Sequence, residues 1–289
     1  MDKVFDRAGA PSLLPRRARS SSKADYGRLL IVGGSRGYSG APTLASRAAV
    51  RAGAGLVHLA VPECIYTVAA VKNDEAMVMP CPCGGDGGFS LAALDVLRPL
   101  AARCDVLAIG PGLGRSPDAV GLVRSLALEA RGTLVLDADA LWALAQAGDN
   151  LLRELARSAV LTPHEGEFTR QLGREIRPTR LDAARDYARE KHCILVLKGA
   201  ETVAAFPDGH TYVNHTGNPG MARGGSGDAL TGVLGALLCQ FPAEKAVPLG
   251  VYLHGLAGDM AAQSRGEYGM TVTDLIDFLP EAMKLITEE

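Results

Sequence analysis

Short apolar runs recur along this chain at regular intervals, each followed by a stretch of helical periodicity. They fall at residues 29–32, 56–61, 105–109, 133–136, 159–161 and 194–197, lengths that suit strands rather than helices. A weaker run, polar at its start, occupies 75–79. The segments 65–71, 91–102, 117–131, 140–147 and 181–191 read as helices, as does the one that enters at Pro42 and closes at Gly53 and Gly55. Parallel neighbours need a crossover, and a helix supplies it while covering one face of the sheet. The expected fold class is therefore α/β, a mostly parallel central sheet with helices on both faces. At 289 residues and 47% hydrophobic content the chain can build one large domain of this kind or two small ones.

Two later runs, 202–206 and 210–213, flank Pro207, Asp208 and Gly209 and predict a hairpin, an antiparallel addition to the sheet. Residues 1–26 are rich in Arg and Ser, but Asp2, Asp6 and the lack of an apolar stretch argue against a targeting peptide. They read as an N-terminal arm, with one domain over 27–289 and neither a repeat nor a linker inside it. The net charge of −2 and the 5% aromatic content give no footing for nucleic acid or an anionic membrane surface. No apolar run reaches the ~18 residues of a span. Of six cysteines only Cys81 and Cys83 are close, and without a second pair or a nearby His they have poor zinc spacing. The thiols suit a reducing, cytoplasmic setting.

The chemistry concentrates between Asn214 and Leu238. Gly217, Gly220, Gly224, Gly225 and Gly227 precede Asp228, and an apolar helical run over 229–238 follows at once. A helix start fed by glycines offers bare amides and partial positive charge, which attract phosphate or a developing anion. A fixed carboxylate there repels such a ligand unless it takes a proton from an attacking hydroxyl. The alternative is that Asp228 caps the helix, and the residues alone leave both readings open.

Other polar groups follow the strand ends: the glycine-rich turn 110–116, Asp137 and Asp139, then His164, Glu165 and Glu167, then Lys198 and Gly199. In a parallel sheet the carboxyl ends are where ligands bind. Asp137 and Asp139 could hold a metal or a substrate hydroxyl, or Asp139 could cap the helix over 140–147. His164 reads equally as a structural or a site residue. His254 and Asp259 read as interior or capping groups, and Thr271 or Thr273 as the cap of the last helix. Neither a GxxxxGK[ST] loop nor a GxGxxG turn is present. What remains is an anion hole at the amides of 224–227 with Asp228 beside it as base, an arrangement suited to phosphoryl transfer from a nucleotide to a hydroxyl.

The segments KADYGRLLIVGGSRGYSGAPTLASRAAVRAGAGLV, GPGLG, VLDADAL, LTPHEGEF, LKGAETV, NPGMARGGSGD and YLHGLAGD, in that order, resemble the ADP- or ATP-dependent NAD(P)H-hydrate dehydratases of the ribokinase-like superfamily. The resemblance runs from Lys23 to about Asp274. It implies a ribokinase-like three-layer sandwich and a repair reaction. A hydroxyl on the hydrated nicotinamide ring of the S epimer is phosphorylated by ADP or ATP, and loss of phosphate restores NADH or NADPH.

By position the resemblance makes Asp228 the base and Gly225 and Gly227 the anion hole. It assigns Lys198, Gly199, Ala200, Glu201, Thr202 and Gly227 to the adenine nucleotide, with Mg2+ accompanying the nucleotide and no protein metal ligand. Ala41, Gly112, Gly114 and His164, with Asn218 near them and Asp228, would meet the NADH or NADPH hydrate. It further implies a homo-oligomer, a tetramer, working with a separate NAD(P)H-hydrate epimerase. Arg223 stands where the family usually has threonine and Ala24 where it has glycine. The competing readings are a vitamin or thiazole kinase of the same superfamily and a nucleotide-binding regulator without catalysis.

Overall fold

The computed structural model describes residues 2–4, 14–148, 151–155 and 159–287. Ten strands form one sheet: β1 (Asp2–Val4), β2 (Arg28–Val32), β3 (Leu56–Pro62), β4 (Met77–Cys81), β5 (Val106–Ile109), β6 (Thr133–Leu136), β7 (Val160–Leu161), β8 (Ile194–Leu197), β9 (Thr202–Ala205) and β10 (Thr211–Asn214). Their order is β1-β10-β9-β8-β7-β6-β5-β2-β3-β4. Every neighbouring pair is parallel except those made by β9, which opposes both β8 and β10. The predicted strands are all present. The weak run at 75–79 forms two residues later than expected, at 77–81, as an edge strand. Pro80 is tolerated in it because β4 has a single neighbour, β3, and one side of its ladder is open.

Buried strands alternate their side chains between two cores. Leu29, Ile31, Val57 and Leu59 face the helices Gly40–Arg51, Ser226–Leu238, Ala243–Arg265 and Val272–Ile286, whereas Leu30, Val32, Leu107 and Ile109 face Leu94–Ala101, Pro117–Glu129, Asp139–Ala147 and Arg180–Lys191. Thr271 caps the last helix in a capping box with Asp274. The helix Ser226–Leu238 buries its residues from Ala229 to Leu238 on every side. Its glycines make that possible, for a Cβ at Gly232 would overlap the Ala45 carbonyl oxygen.

The chain steps outward from β2 to β3 and β4, then returns to the other flank of β2 as β5. A reversal of strand order opens a crevice at the carboxyl ends. The loop after β2 and the turn after β5 meet there, and the Gly34 amide donates to the Pro111 carbonyl at 2.8 Å.

Gly232→Ala should therefore destabilise the fold by about 3 kcal/mol, because two backbones must separate. At Gly235 the added methyl meets only the tip of Leu29, at 2.8 Å, and the gain in helix propensity of ~1 kcal/mol offsets the crowding. Denaturant midpoints of the two variants check the contrast.

Candidate active site

The carboxyl ends of β6, β7, β8 and β10 surround a cleft of about 760 Å³ whose floor is the start of the helix Ser226–Leu238. Gly225 is the N-cap of that helix, in the left-handed region at φ 99°, and carries no side chain to satisfy the first amides. The Ser226 amide reaches back to the Arg223 carbonyl at 3.4 Å, whereas those of Gly227 and Asp228 stay bare at the cleft. Asp228 is the third helical residue, so the capping alternative fails; among the described residues its carboxylate accepts no hydrogen bond from a side chain. Burial raises its pKa to about 7, and the charges of Asp137, Asp139 and Glu167 push the same way while Lys198 opposes them. A carboxylate that gains and loses its proton near neutrality suits a general base.

Lys198 lies at the end of β8. Its Nζ is 2.8 Å from Asp137 Oδ1 and 3.8 Å from Glu167 Oε2. Burial works to strip its proton, but the charges of Asp137 and Glu167 and the hydrogen bond to Asp137 outweigh that and raise its pKa. The ammonium also sits against the helix start, 3.0 Å from where a Cβ on Gly227 would stand. Any larger residue at 227 would push the two apart.

Asp137 is 1% exposed, and its second oxygen accepts from Thr231 Oγ1 at 2.8 Å. Both oxygens thus have protein partners, Lys198 and Thr231. Asp139 does not cap its helix. The N-cap is Ala138, at φ 49°, and Asp139 accepts instead from the Gly114 amide at 3.0 Å and from Arg115 Nε at 2.9 Å. Among the described residues no group of three or more His, Cys, Asp or Glu side chains could hold a metal ion.

His164 is the N-cap of the helix Glu165–Arg170. Its Nδ1 accepts from the amides of Gly166 and Glu167 at 2.9 and 3.2 Å, while Glu167 accepts from the His164 amide. It nevertheless lines the cleft, so its two readings coexist. Gly199, Ala200, Thr202 and Asn218 also line it, and Glu201 does not; the Glu201 carboxylate lies 3.3 Å from His215. Asn218 is held by Asp259, which accepts from Asn218 Nδ2 at 3.0 Å and from the Gly217 amide at 2.9 Å.

His254 also lines the cleft, its Nε2 2.9 Å from the Ser226 carbonyl. Burial lowers its pKa to about 4, so at neutral pH the ring is uncharged and Nε2–H donates to that carbonyl. Arg223 is exposed, and its hydrogen bonds go to backbone carbonyls: Nε donates to Gly220 O at 2.8 Å and Nη2 to Glu267 O at 3.3 Å.

Ala41, Gly112 and Gly114 stand outside this cleft, grouped in the crevice between β2 and β5. A Cβ on Gly112 would lie 2.8 Å from Tyr38 O and 3.2 Å from the Ala41 methyl. The expected residues therefore form two groups. Asp139, bonded to Gly114 and felt by Asp228, stands between them.

A family model described as NAD(P)H-hydrate dehydratase matches residues 29–281. The chain belongs to that family. A bifunctional NAD(P)H-hydrate repair enzyme of Moorella thermoacetica is 48% identical over 99% of this chain and 55% of its own length, so the chain spans about half of such relatives. The ADP-dependent (S)-NAD(P)H-hydrate dehydratase of Neisseria meningitidis is 38% identical over 89% of this chain and 84% of that one. Among solved structures, the ADP/ATP-dependent NAD(P)H-hydrate dehydratase of Bacillus subtilis, co-crystallised with ATP/Mg2+, aligns with TM-score 0.81 and 30% identity over 98% of each chain. The ribokinase-like fold expected from the motifs stands.

Two outcomes follow from the charges. The folded protein holds a proton on Asp228 up to about pH 7, where an ordinary aspartate holds one only to 3.8. Folding stability from this group is therefore greatest at low pH and falls as pH rises between those values. Asp228→Asn should be more stable than the parent at pH 8 by about 2 kcal/mol, with the gap closing toward pH 4, as read by thermal melting. Lys198→Met leaves Asp137 buried and unpaired and should cost about 3–5 kcal/mol. Adding Asp137→Asn should recover much of the loss, a coupling that a double-mutant cycle measures.

Proposed function

We propose that this chain dehydrates the S epimer of NADH hydrate or NADPH hydrate to NADH or NADPH, with ADP or ATP as phosphoryl donor. The observation that carries the reading is the placement of Asp228, ionising near pH 7, between bare helix amides and the Lys198 ammonium. The donor phosphates would lie on the amides about Gly225 and Gly227, with Lys198 neutralising charge and residues 198–202 following the nucleotide. The hydrate would enter from the side of Ala41, Gly112 and Gly114, with His164 and Asn218 at the shared rim.

The ring hydroxyl gives its proton to Asp228 as its oxygen attacks the terminal phosphorus, and the bond to the departing AMP or ADP breaks. Charge that builds on the transferred group falls where the amides already point, so little reorganisation is needed. Phosphate then leaves the ring carbon, a neighbouring carbon loses a proton, and the double bond returns. Magnesium would be brought by the nucleotide and held by phosphate and water oxygens, as suits an ion that keeps several waters. The protein supplies no cage among the described residues.

The names of the Neisseria and Bacillus relatives support the donor and the substrate. Use of one epimer also calls for an epimerase activity, in keeping with relatives named bifunctional. Six free cysteines fit a reducing cytoplasm, and among the described residues no helix is long and apolar enough to cross a membrane.

Incubation of each hydrate with ADP and with ATP should release phosphate and restore the absorbance of reduced nicotinamide. A stable phosphorylated product would instead indicate a small-molecule kinase. Asp228→Asn should keep nucleotide affinity and lose at least about a hundredfold in turnover. In the parent the rate should climb as pH rises through about 7, where the base ionises; equal turnover in the variant would move the base elsewhere.

A further inference from the structure

Two thiols stand where neighbouring strands end, on the far flank of the β2 loop. β3 and β4 are parallel, and their last paired residues are Pro62 and Cys81. Two residues further along each chain are Cys64 and Cys83. Adjacent strands run about 4.8 Å apart, within the Cα separation of ~4.4–6.8 Å that a disulfide bridges. The Cys64 thiol is seated on the hairpin that Cys83 opens, donating to the Gly87 carbonyl at 3.4 Å. Cys64 is exposed, Cys83 is half-buried and both are reduced. The other four thiols are kept inert by burial, which pushes Cys81 and Cys104 up to about 11 and Cys193 and Cys239 up to about 12.

We propose that Cys64 and Cys83 are a modification site for low-molecular-weight disulfides, closing reversibly to an intramolecular bond that reshapes the Gly112 side of the active site. The exchange balances without any other reactant. The Cys64 thiolate attacks one sulfur of the incoming disulfide, forming a mixed disulfide and expelling the first thiolate. Cys83, as thiolate, then attacks the Cys64 sulfur and expels the second. Two protein thiols give up two protons and two electrons, and one disulfide becomes two thiols.

The link to the crevice is a short chain of contacts. Gly87, in the turn that Cys83 and Phe89 close, accepts from Cys64 Sγ at 3.4 Å and from the Arg36 amide at 2.9 Å. The neighbouring Ser35 hydroxyl donates to the Gly112 carbonyl at 2.9 Å. Closing the disulfide removes the thiol donor to Gly87 and draws the two sulfurs to about 2.05 Å. The turn under Arg36, and with it the loop that borders Gly112, must shift. Burial and Cys83 push the Cys64 thiol up, against the pull of Arg36, so closure is slow at neutral pH and faster as pH rises.

The effect on catalysis rests on the hydrate assignment of Gly112 made above, whereas bond formation does not. The reduced full chain, Cys64→Ser and Cys83→Ser are incubated with oxidised glutathione at about pH 8 and mapped by peptide mass. The parent should yield a Cys64–Cys83 cross-linked peptide that dithiothreitol reverses, and Cys83→Ser a stable glutathione adduct on Cys64. A lasting adduct on the parent's Cys64, or no reaction at either thiol, overturns the site. In the cross-linked parent the hydrate KM should rise at least about fivefold with the nucleotide KM unchanged, and Cys64→Ser, which can form neither the cross-link nor an adduct at position 64, should not respond. A cross-link that leaves the hydrate KM unmoved overturns the coupling to Gly112. If no hydrate is turned over even by the reduced parent, it is the proposed function that fails, and the peptide map still decides the thiol site.

Discussion

A half-buried ammonium at the head of a buried helix sets the terms for everything around it. Lys198 is held by Asp137, which Thr231 steadies from inside that helix. Removing the lysine would leave the carboxylates of Asp137, Glu167 and Asp228 with no cation among them, a costly state in a medium that screens poorly. Retaining it leaves a single positive charge to be shared. Asp137 takes the hydrogen bond, Glu167 stands further off, and Asp228 receives only a partial field. Burial and the charge of Asp137 outweigh that field and hold Asp228 near neutrality.

The crevice between β2 and β5 and the larger cleft are distinct spaces with a common wall. Asp139 belongs to that wall, tying the turn at Gly114 to the end of β6. The proposed two-substrate reaction calls for such an arrangement, with an entrance for each ligand and one carboxylate, Asp228, where the reacting atoms would meet. Ala138, with its positive φ beside the cleft, marks the price in backbone strain of bringing Asp137 and Asp139 to opposite sides of one strand end.

Much of this was legible in the amino-acid order, for particular reasons. Strands covered on both faces read as unbroken apolar runs, which is why β2, β5, β6 and β8 are visible without help. The glycines before Asp228 announced a helix start with open amides, and the structure has one at Gly225. Asp137 could be recognised as a polar group at a strand end, but not as the partner of a lysine 61 residues on. Nothing local announces a contact between strands that lie two apart in the sheet. Propensity made a cap one of two open readings for Asp139, but the turn after β5 supplies its donors instead, the Gly114 amide and Arg115. His164 is structural through its cap, which occupies Nδ1 and leaves the rest of the ring at the rim of the cleft.

The helix Ser226–Leu238 is locked between the sheet and its neighbours, with carbonyl oxygen of the Gly40–Arg51 helix pressed directly against Gly232. Its first turn behaves as an anvil: it cannot drift to suit one ligand or another. Whatever give the catalytic region possesses must come from the segments that hang over it, the stretch before Gly225 and the loop after β2. Tolerance for differing ligands is then a property of the overhang, and fidelity of the chemistry a property of the block beneath.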